Sequence, residues 1–219
     1  ERTFSSITAC AIFVSNGEQE SANKNNIKYK NSYVIYNGLD GPGSYRAKDV
    51  YDKFRVLSIS RFDYSKNMFY AYNIAKNMKE VDNLEFIWLG DGPEKEIIEK
   101  EAKKYEINNI KFLGFIDNVN DYLKNCDILL STSRGEGMPY SLIEAMSFGL
   151  PIIATDVMGH DEMIRNGYNG YLFNTIDEVC KHILNLKNNK NLYEKNKNNS
   201  LREFSKKYKK EKMINKLIN

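Results

Sequence analysis

Two glutamates suggest chemistry through their type and spacing. Glu136 lies between Gly135 and Gly137, and Glu144 follows it eight positions later. Paired carboxylates act in hydrolases as general acid and base, or as a nucleophile and its partner. A carboxylate between two glycines has no obvious structural duty, and Gly137 would let the backbone approach a ligand closely. Glu144 has a structural alternative, because Ser141 and Glu144 have the spacing of a capping box that satisfies the first N–H groups of a helix.

Two further sets of residues have the types that recognise a nucleotide. Arg61 and Lys66 flank a turn that leads into a predicted helix, and two cations beside a helix N-terminus suit a diphosphate. In a surface loop the same cations could equally be solvated or paired with carboxylates. Gly90 and Gly114 begin turns that could hold a flat heterocycle through backbone groups, or that simply end one element before the next.

Alternating strands and helices must position these residues. From Phe54 onward, apolar strands alternate with amphipathic helices, which is typical of βαβ units with a parallel sheet and helices on both faces. The predicted strands span 54–60, 84–89, 110–113, 127–130, 152–154 and 171–173, and the predicted helices span 67–78, 94–105, 119–125, 140–147 and 161–165. Before them, strands near 9–14 and 33–36 enclose a helical stretch at 19–25. The predicted fold class is α/β, with a Rossmann-like doubly wound parallel sheet.

The candidate ligand-binding residues fall directly after predicted strands. In a parallel sheet these turns share the carboxyl edge, where open α/β sheets bind ligands. Five of them therefore converge on one cleft: Ser60-Arg61, Gly90 to Pro93, Gly114-Phe115, Arg134 to Gly137 and Thr155-Asp156. His160 is predicted near the same edge, so a sugar contact is one interpretation of this histidine.

The composition limits the class of protein. The 219 residues carry a formal net charge of +3, and a hydrophobic content of 42% is sufficient for a large core. This balance gives no support for nucleic-acid binding, although basic runs at 187–195 and 206–210 could touch a phosphate-rich surface or form a solvated helix face. No His, Cys, Asp or Glu cluster has metal-ligand spacing, so no metal site is predicted. The odd number of cysteines and the lack of a long apolar run or signal-peptide pattern favour the cytoplasm.

Several sequence motifs occur in a fixed order along the chain. The stretch E-G-M-P-Y-S-L-I-E is followed by G-H-D-E-M-I-R-N-G-Y-N-G-Y-L-F. These motifs resemble the donor-binding half of glycosyltransferase family 4, a retaining GT-B family, whose E-x7-E signature the first stretch matches. The likeness extends to S-R-F-D-Y-S-K-N, L-G-D-G-P, F-L-G-F and V-I-Y-N-G-L-D. It covers roughly residues 33–173, and the shared order makes it more specific than any single motif.

The resemblance implies the C-terminal half of a GT-B fold and a role for each matched residue. Arg61 and Lys66 would bind the diphosphate of a UDP- or GDP-linked sugar, and Glu144 would bind the ribose hydroxyls. Glu136 would be the catalytic residue, facing the sugar and stabilising the positive charge of the transition state. The other substrate-binding residues would be Gly90, Gly114, Phe115, Ile116, Gly137, Met138, Pro139, Tyr140, Ser141 and Leu142. The nucleotide sugar is the donor substrate, and no cofactor is implied.

The resemblance also implies a domain division. Residues 1–40 would be a remnant of the N-terminal acceptor domain plus the interdomain linker, and residues 41–219 would be the nucleotide-sugar-binding domain with C-terminal helices. A donor half alone would transfer sugar weakly, because the acceptor site and one cleft wall belong to the other domain. Two positions depart from the family pattern: Met158 replaces the first of two glycines before the acidic Glu162, and Tyr36 replaces the linker proline.

The expected function is therefore transfer of a sugar, with retention, to a polysaccharide or glycolipid acceptor, in the cytoplasm or peripherally at the inner membrane face. Two alternatives remain. One is a non-catalytic sugar-nucleotide-binding subunit that needs a separate partner. The other is a GT-B nucleotide-sugar epimerase, which fits less well because the predicted cleft lacks an additional acid/base set of His or Asp residues.

Overall fold

The structure is a computed structural model that describes residues 8–42 and 53–218. Gly43, which belongs to the turn at the predicted domain boundary, lies outside the described residues, as do residues 1–7 of the predicted acceptor-domain remnant. The division at residue 40 therefore stays a prediction.

The described chain begins with a strand–helix–strand unit, residues 8–34, which we call the N-terminal unit. Strand β1 is Ala11–Phe13, helix α1 is Asn16–Lys24, and strand β2 is Ser32–Val34. The two strands pair in parallel, and α1 connects them. The predicted order of strand, helix and strand is confirmed. Ser15 caps α1, because its hydroxyl accepts a hydrogen bond from the N–H of Glu18 at 3.1 Å.

Six parallel strands form the main sheet. They are β3 (Phe54–Ile59), β4 (Leu84–Leu89), β5 (Ile110–Phe112), β6 (Ile128–Ser131), β7 (Ile152–Thr155) and β8 (Gly170–Phe173). Their order across the sheet is β5-β4-β3-β6-β7-β8, so counted from β3 it is the 3-2-1-4-5-6 order of dinucleotide-binding folds. The strand order reverses between β3 and β6. A ligand crevice is expected at the carboxyl ends of these two strands.

Helices cover both faces of this sheet. Their bounds are α2 (Met68–Asn77), α3 (Lys95–Lys104), α4 (Asn120–Asn125), α5 (Tyr140–Ser147), α6 (Ile176–Asn188), α7 (Lys190–Glu203) and α8 (Lys210–Ile218), with a π-helical turn at Phe204–Tyr208 between the last two. Buried residues of α2, α3 and α6 form the core on one face. Those of α4, α5 and the π-helical turn form the core on the other. The predicted α/β class and parallel sheet are confirmed.

Strand β4 explains why the sheet is buried on both sides. All six of its residues are buried, with Phe86 and Trp88 in one core and Ile87 and Leu89 in the other. Successive side chains of a strand point to opposite faces, so a strand with apolar residues at both odd and even positions requires packing on both faces. Each such large side chain contributes about 1.5–3 kcal/mol when it is fully buried.

The predicted helix at 161–165 is wrong, since this segment forms turns. The Asn169 side chain accepts a hydrogen bond from the N–H of Arg165 at 2.9 Å and donates to the carbonyl of Met163 at 3.0 Å. The turns are held by a side chain from further along the chain, which the local pattern does not reveal. No helix in the described ranges 8–42 and 53–218 has both the length and the apolar character required to span a membrane.

Candidate functional site

The loops that follow β3 and β6 meet at the point where the strand order reverses. The N–H of Arg134 donates to the carbonyl of Ser65 at 2.8 Å, and the hydroxyl of Thr132 donates to the carbonyl of Lys66 at 3.0 Å. These hydrogen bonds link two loops that are about 70 residues apart in the sequence and fix their relative position. The predicted convergence on the carboxyl edge is correct for this pair of loops.

Asp63 shapes the loop that carries Arg61 and Lys66. Its carboxylate accepts hydrogen bonds from the Ser65 hydroxyl at 2.6 Å and from the N–H groups of Ser65 at 3.0 Å and Lys66 at 3.1 Å. The hydrogen bond from the Ser65 hydroxyl is the largest contribution that lowers the pKa of Asp63. Arg61 lies outside this turn, 3.5 Å from Asp63 and with 75% of its side chain exposed, so its guanidinium is accessible to an incoming anion.

Lys66 and Glu136 form an ion pair at the centre of the crevice. The Lys66 ammonium lies 2.5 Å from the Glu136 carboxylate, which also accepts a hydrogen bond from the Ser133 hydroxyl at 2.6 Å. Only 13% of the Glu136 side chain and 28% of the Lys66 side chain are exposed. Glu136 therefore has two side-chain partners that its position between two glycines did not indicate. These two residues, Lys66 and Glu136, which the resemblance assigns to different parts of a donor, form an ion pair with each other in the absence of a ligand.

Helix α5 begins at the crevice without a side-chain cap. Its N-cap is Pro139, no side chain accepts a hydrogen bond there, and its first turn contains no acidic residue. The N–H of Leu142 donates to the Pro139 carbonyl at 3.2 Å. The predicted capping box of Ser141 and Glu144 is wrong, because the helix starts at Tyr140 and places both residues inside it. The positive end of the helix dipole is left facing the crevice.

The residues between Glu136 and α5 differ in accessibility. Met138 is buried, with 4% exposure, whereas Tyr140 is 51% exposed. The Met138 carbonyl accepts a hydrogen bond from the Asn37 side chain at 2.9 Å, which ties this loop to the predicted linker. Met138 and the buried Leu142 can therefore reach a ligand only through their backbone, while Gly137 and Ser141 are partly exposed.

Glu144 is a half-buried carboxylate whose side chain has no hydrogen-bond partner among the described residues. Burial raises its pKa above the ordinary value for glutamate, because desolvation disfavours the charged form. A hydroxyl donor that reached this carboxylate would compensate for part of that cost. This environment is suited to a ligand that carries hydroxyl groups.

We expect Glu144→Gln to make the protein relatively more stable as the pH rises. The folded protein retains the Glu144 proton above the unfolded pKa, so wild-type stability falls as pH rises through the raised folded pKa, and glutamine removes this loss. Urea unfolding at about pH 4 and about pH 7 measures the change. Glu178→Gln is the control of opposite sign, because hydrogen bonds from Asn174 and Thr175 lower the pKa of Glu178. A pH-independent difference for Glu144→Gln would contradict the burial of its charge.

The turns after β4 and β5 form one platform. The N–H of Gly90 donates to the Gly114 carbonyl at 2.7 Å. Beside them, Phe115 is 73% exposed and Ile116 packs against the core. An exposed aromatic ring next to fixed backbone groups can stack a planar base. The structure thus brings together the turns at Gly90 and Gly114 that the sequence predicts could hold a flat heterocycle.

His160 has a structural role instead of the sugar contact considered for it. Its ring is fully buried, with Nδ1 2.9 Å from the Thr155 carbonyl and Nε2 3.2 Å from the Ser131 hydroxyl. Burial lowers the pKa of His160, so the ring is neutral at neutral pH. Its position supports the end of β7 below the Glu136 loop.

The contacts of three residues at the site were not predicted from the sequence, although Arg134 was placed in a loop of the cleft and Glu162 was identified as the acidic residue of the family pattern. Ser133 holds Glu136, and Arg134 lies 4.3 Å from the centre of the Tyr64 ring. Both belong to a polar run directly after the buried strand β6, which was a usable signal. Glu162 contacts the N-terminal unit, and no local pattern indicated that contact. Within the part of the chain that the structure describes, no group of three or more His, Cys, Asp or Glu residues could hold a metal ion.

Comparison with solved structures identifies the fold. A mutant of S. aureus TarM, solved in complex with Fondaparinux, alpha-GlcNAc-glycerol and UDP, is 25% identical, with a TM-score of 0.84 over 95% of this chain and 43% of that chain. Anabaena HepE, solved with UDP and glucose, is 20% identical, with a TM-score of 0.84 over 96% of this chain and 62% of that chain. The fold is that of the C-terminal Rossmann-like half of a GT-B protein.

The sequence comparisons agree. An uncharacterized glycosyltransferase of Methanocaldococcus jannaschii is 35% identical over 84% of this chain and 55% of its own length. The chain thus spans about half the length of this relative. The family model for glycosyl transferases group 1 matches residues 46–203. The chain therefore belongs to the glycosyl transferases group 1 family.

Proposed function

We propose that this chain is the donor-binding half of a retaining glycosyltransferase that uses a UDP- or GDP-linked sugar. The observation that carries the proposal is the Lys66–Glu136 pair, at 2.5 Å, beside the uncapped N-terminus of α5. A cation, a carboxylate and free helix N–H groups are the three groups required to hold a diphosphate, orient a sugar and stabilise a leaving phosphate.

The diphosphate would lie between the two loops. Arg61 is exposed and Lys66 is partly exposed, so both can turn toward its negative charge. The N–H groups of Tyr140 and Ser141, at the start of α5, would receive the β-phosphate. The base would stack near Phe115, and the ribose hydroxyls would donate to Glu144.

Glu136 would act on the transferred sugar. When Lys66 turns toward the diphosphate, the carboxylate can accept hydrogen bonds from sugar hydroxyls and stabilise the positive charge that develops at the anomeric carbon. In the transfer step, the bond from this carbon to the β-phosphate oxygen breaks and a bond to the acceptor hydroxyl oxygen forms on the same face. The hydroxyl proton passes to the leaving phosphate, which the α5 N–H groups stabilise.

The similar proteins support a nucleotide-linked donor, whereas the acceptor depends on the complete protein. The TarM mutant, which is 25% identical to this chain, was crystallised with UDP. Because the chain covers only part of such proteins, a polysaccharide or glycolipid acceptor and a peripheral membrane contact belong to this proposal for the complete protein. Calorimetric titration of the chain with UDP, GDP, ADP and their sugars tests the proposed donor binding. If none of these compounds binds, the proposal is overturned.

We expect Lys66→Met to weaken UDP binding about tenfold, since a hydrogen bond to a charged group contributes about 1.5–3 kcal/mol. The variant also leaves the Glu136 carboxylate unpaired and close to the diphosphate, which adds repulsion. Lys79→Met is the matched control, because Lys79 pairs with Glu80 far from the crevice. Titration of both variants with UDP measures the effect. Equal affinities of the two variants would remove Lys66 from the diphosphate site.

A further inference from the structure

We infer that Glu162 is a positioning residue that fixes the N-terminal unit to the loop that carries Glu136. Its carboxylate accepts hydrogen bonds from the N–H of Asn16 at 2.8 Å, the N–H of Gly17 at 3.3 Å and the Tyr36 hydroxyl at 2.5 Å, and also from the Asn16 side chain. The donors belong to the N-terminal unit and the predicted linker, more than 120 residues earlier in the sequence.

The carboxylate completes the start of α1. Ser15 satisfies the N–H of Glu18, while the preceding N–H groups of Asn16 and Gly17 point to Glu162. A negative charge at this end of a helix is stabilising, and charge-assisted hydrogen bonds are stronger than neutral ones. Helix α1 therefore has a cap that is supplied by the donor domain.

The turn that carries Glu162, residues 158–162, also contacts the loop that carries Glu136. The Met158 carbonyl accepts the N–H of Glu136 at 3.0 Å. Gly159 has φ +90°, and a Cβ there would lie 2.4 Å from the Glu136 carbonyl, so the two backbones are in close approach. On the other side, a Cβ on Gly17 would lie 2.8 Å from the Met158 side chain. The 158–162 turn thus lies between α1 and Glu136.

Both departures from the family pattern occur at this junction. Tyr36 supplies the hydroxyl that donates to Glu162, which a proline could not do. Met158 supplies the side chain that meets Gly17, which a glycine could not do. Burial and Glu162 raise the pKa of Tyr36 to about 12, so the hydroxyl keeps its proton at neutral pH. In this chain the junction is therefore reinforced by two specific side chains.

Hydrogen exchange on the unliganded chain tests the inference. Glu162→Ala should speed exchange at the amides of Asn16 and Gly17 about tenfold, and it should also speed exchange at the Glu136 amide. Tyr36→Phe, a milder change, should have the same pattern at smaller amplitude. Glu178→Ala is the matched control. It removes a carboxylate that accepts hydrogen bonds from the N–H groups of Asn174 and Thr175, so exchange should become faster at these two amides and not at Glu136. An unchanged Glu136 amide in Glu162→Ala and Tyr36→Phe would overturn the inference.

A second measurement rests on the proposed function. Positioning of the Glu136 loop should matter for the sugar and not for the nucleotide. The measured quantity is the ratio of the Kd for UDP to the Kd for a UDP-sugar that binds the wild type. This ratio should fall about threefold or more in Glu162→Ala, while the affinity for UDP stays within about twofold of wild type. An unchanged ratio would contradict the positioning role. If wild type binds no nucleotide, the proposed function fails, and the exchange experiment still decides the role of Glu162.

Discussion

Glu136→Gln is expected to reduce sugar transfer by about a thousandfold while nucleotide affinity stays the same or rises slightly. Glutamine keeps the size and a hydrogen-bond acceptor but loses the negative charge that faces the developing positive charge. Affinity does not fall because the variant also releases Lys66, which lies 2.5 Å from Glu136, to bind the diphosphate. Initial rates of the complete protein and UDP titration of the same variant measure the two effects.

The controls separate chemistry from folding. Glu178→Gln changes an exposed carboxylate outside the crevice and should leave both quantities unchanged. A Glu136→Gln variant with the wild-type rate would exclude Glu136 as the catalytic residue. Loss of UDP binding in that variant would instead indicate that the ion pair holds the two loops in place.

The ion pair between Lys66 and Glu136 stabilises two partly buried charges in the unliganded crevice. Partly buried charges are costly when isolated, and Lys66 and Glu136 reduce that cost by pairing. Glu144, lacking such a partner among the described residues, shows the contrasting behaviour in its raised pKa. A donor would supply each charge with a new partner: phosphate oxygens for Lys66, sugar hydroxyls for Glu136 and ribose hydroxyls for Glu144.

The fold was predictable because its signals are local. The strand at 84–89, which is apolar except for Glu85, and the helix at 140–147 have the predicted bounds, and the parallel sheet follows from the alternation of strands and helices. The helix predicted at 161–165 was wrong because Asn169 binds backbone groups from outside the segment. Local periodicity carries no information about such a contact.

The residues of the site were predictable from the sequence, but the contacts between them were not. Turns at the carboxyl edge were identifiable from position alone, which brought Arg61, Lys66 and Glu136 to one cleft. That Lys66 meets Glu136 depends on β3 and β6 being neighbours, a strand order that the residues do not encode locally. The contact of Glu162 with α1 is beyond sequence reasoning for the same reason.

Gly90→Ala is expected to destabilise the protein by about 3 kcal/mol or more. Gly90 has φ +129°, a conformation that residues with a Cβ rarely adopt, and the added Cβ would lie 1.9 Å from the Ser60 carbonyl oxygen. The N–H of Ser60 donates to Leu89 at 2.9 Å and that of Gly90 to Gly114 at 2.7 Å. The substitution would therefore force apart the ends of β3, β4 and β5. Urea unfolding measures the loss.

Gly135→Ala is the control, because a Cβ there meets nothing within 4 Å and the backbone is not left-handed. Its stability should change by less than about 1 kcal/mol, and a small gain would reflect the reduced freedom of the unfolded chain. Because the turn at Gly90 also forms the platform beside Phe115, Gly90→Ala that remains folded should bind UDP more weakly, whereas Gly135→Ala should not. Equal stability losses in the two variants would contradict the close approach of Gly90 to Ser60 as the cause.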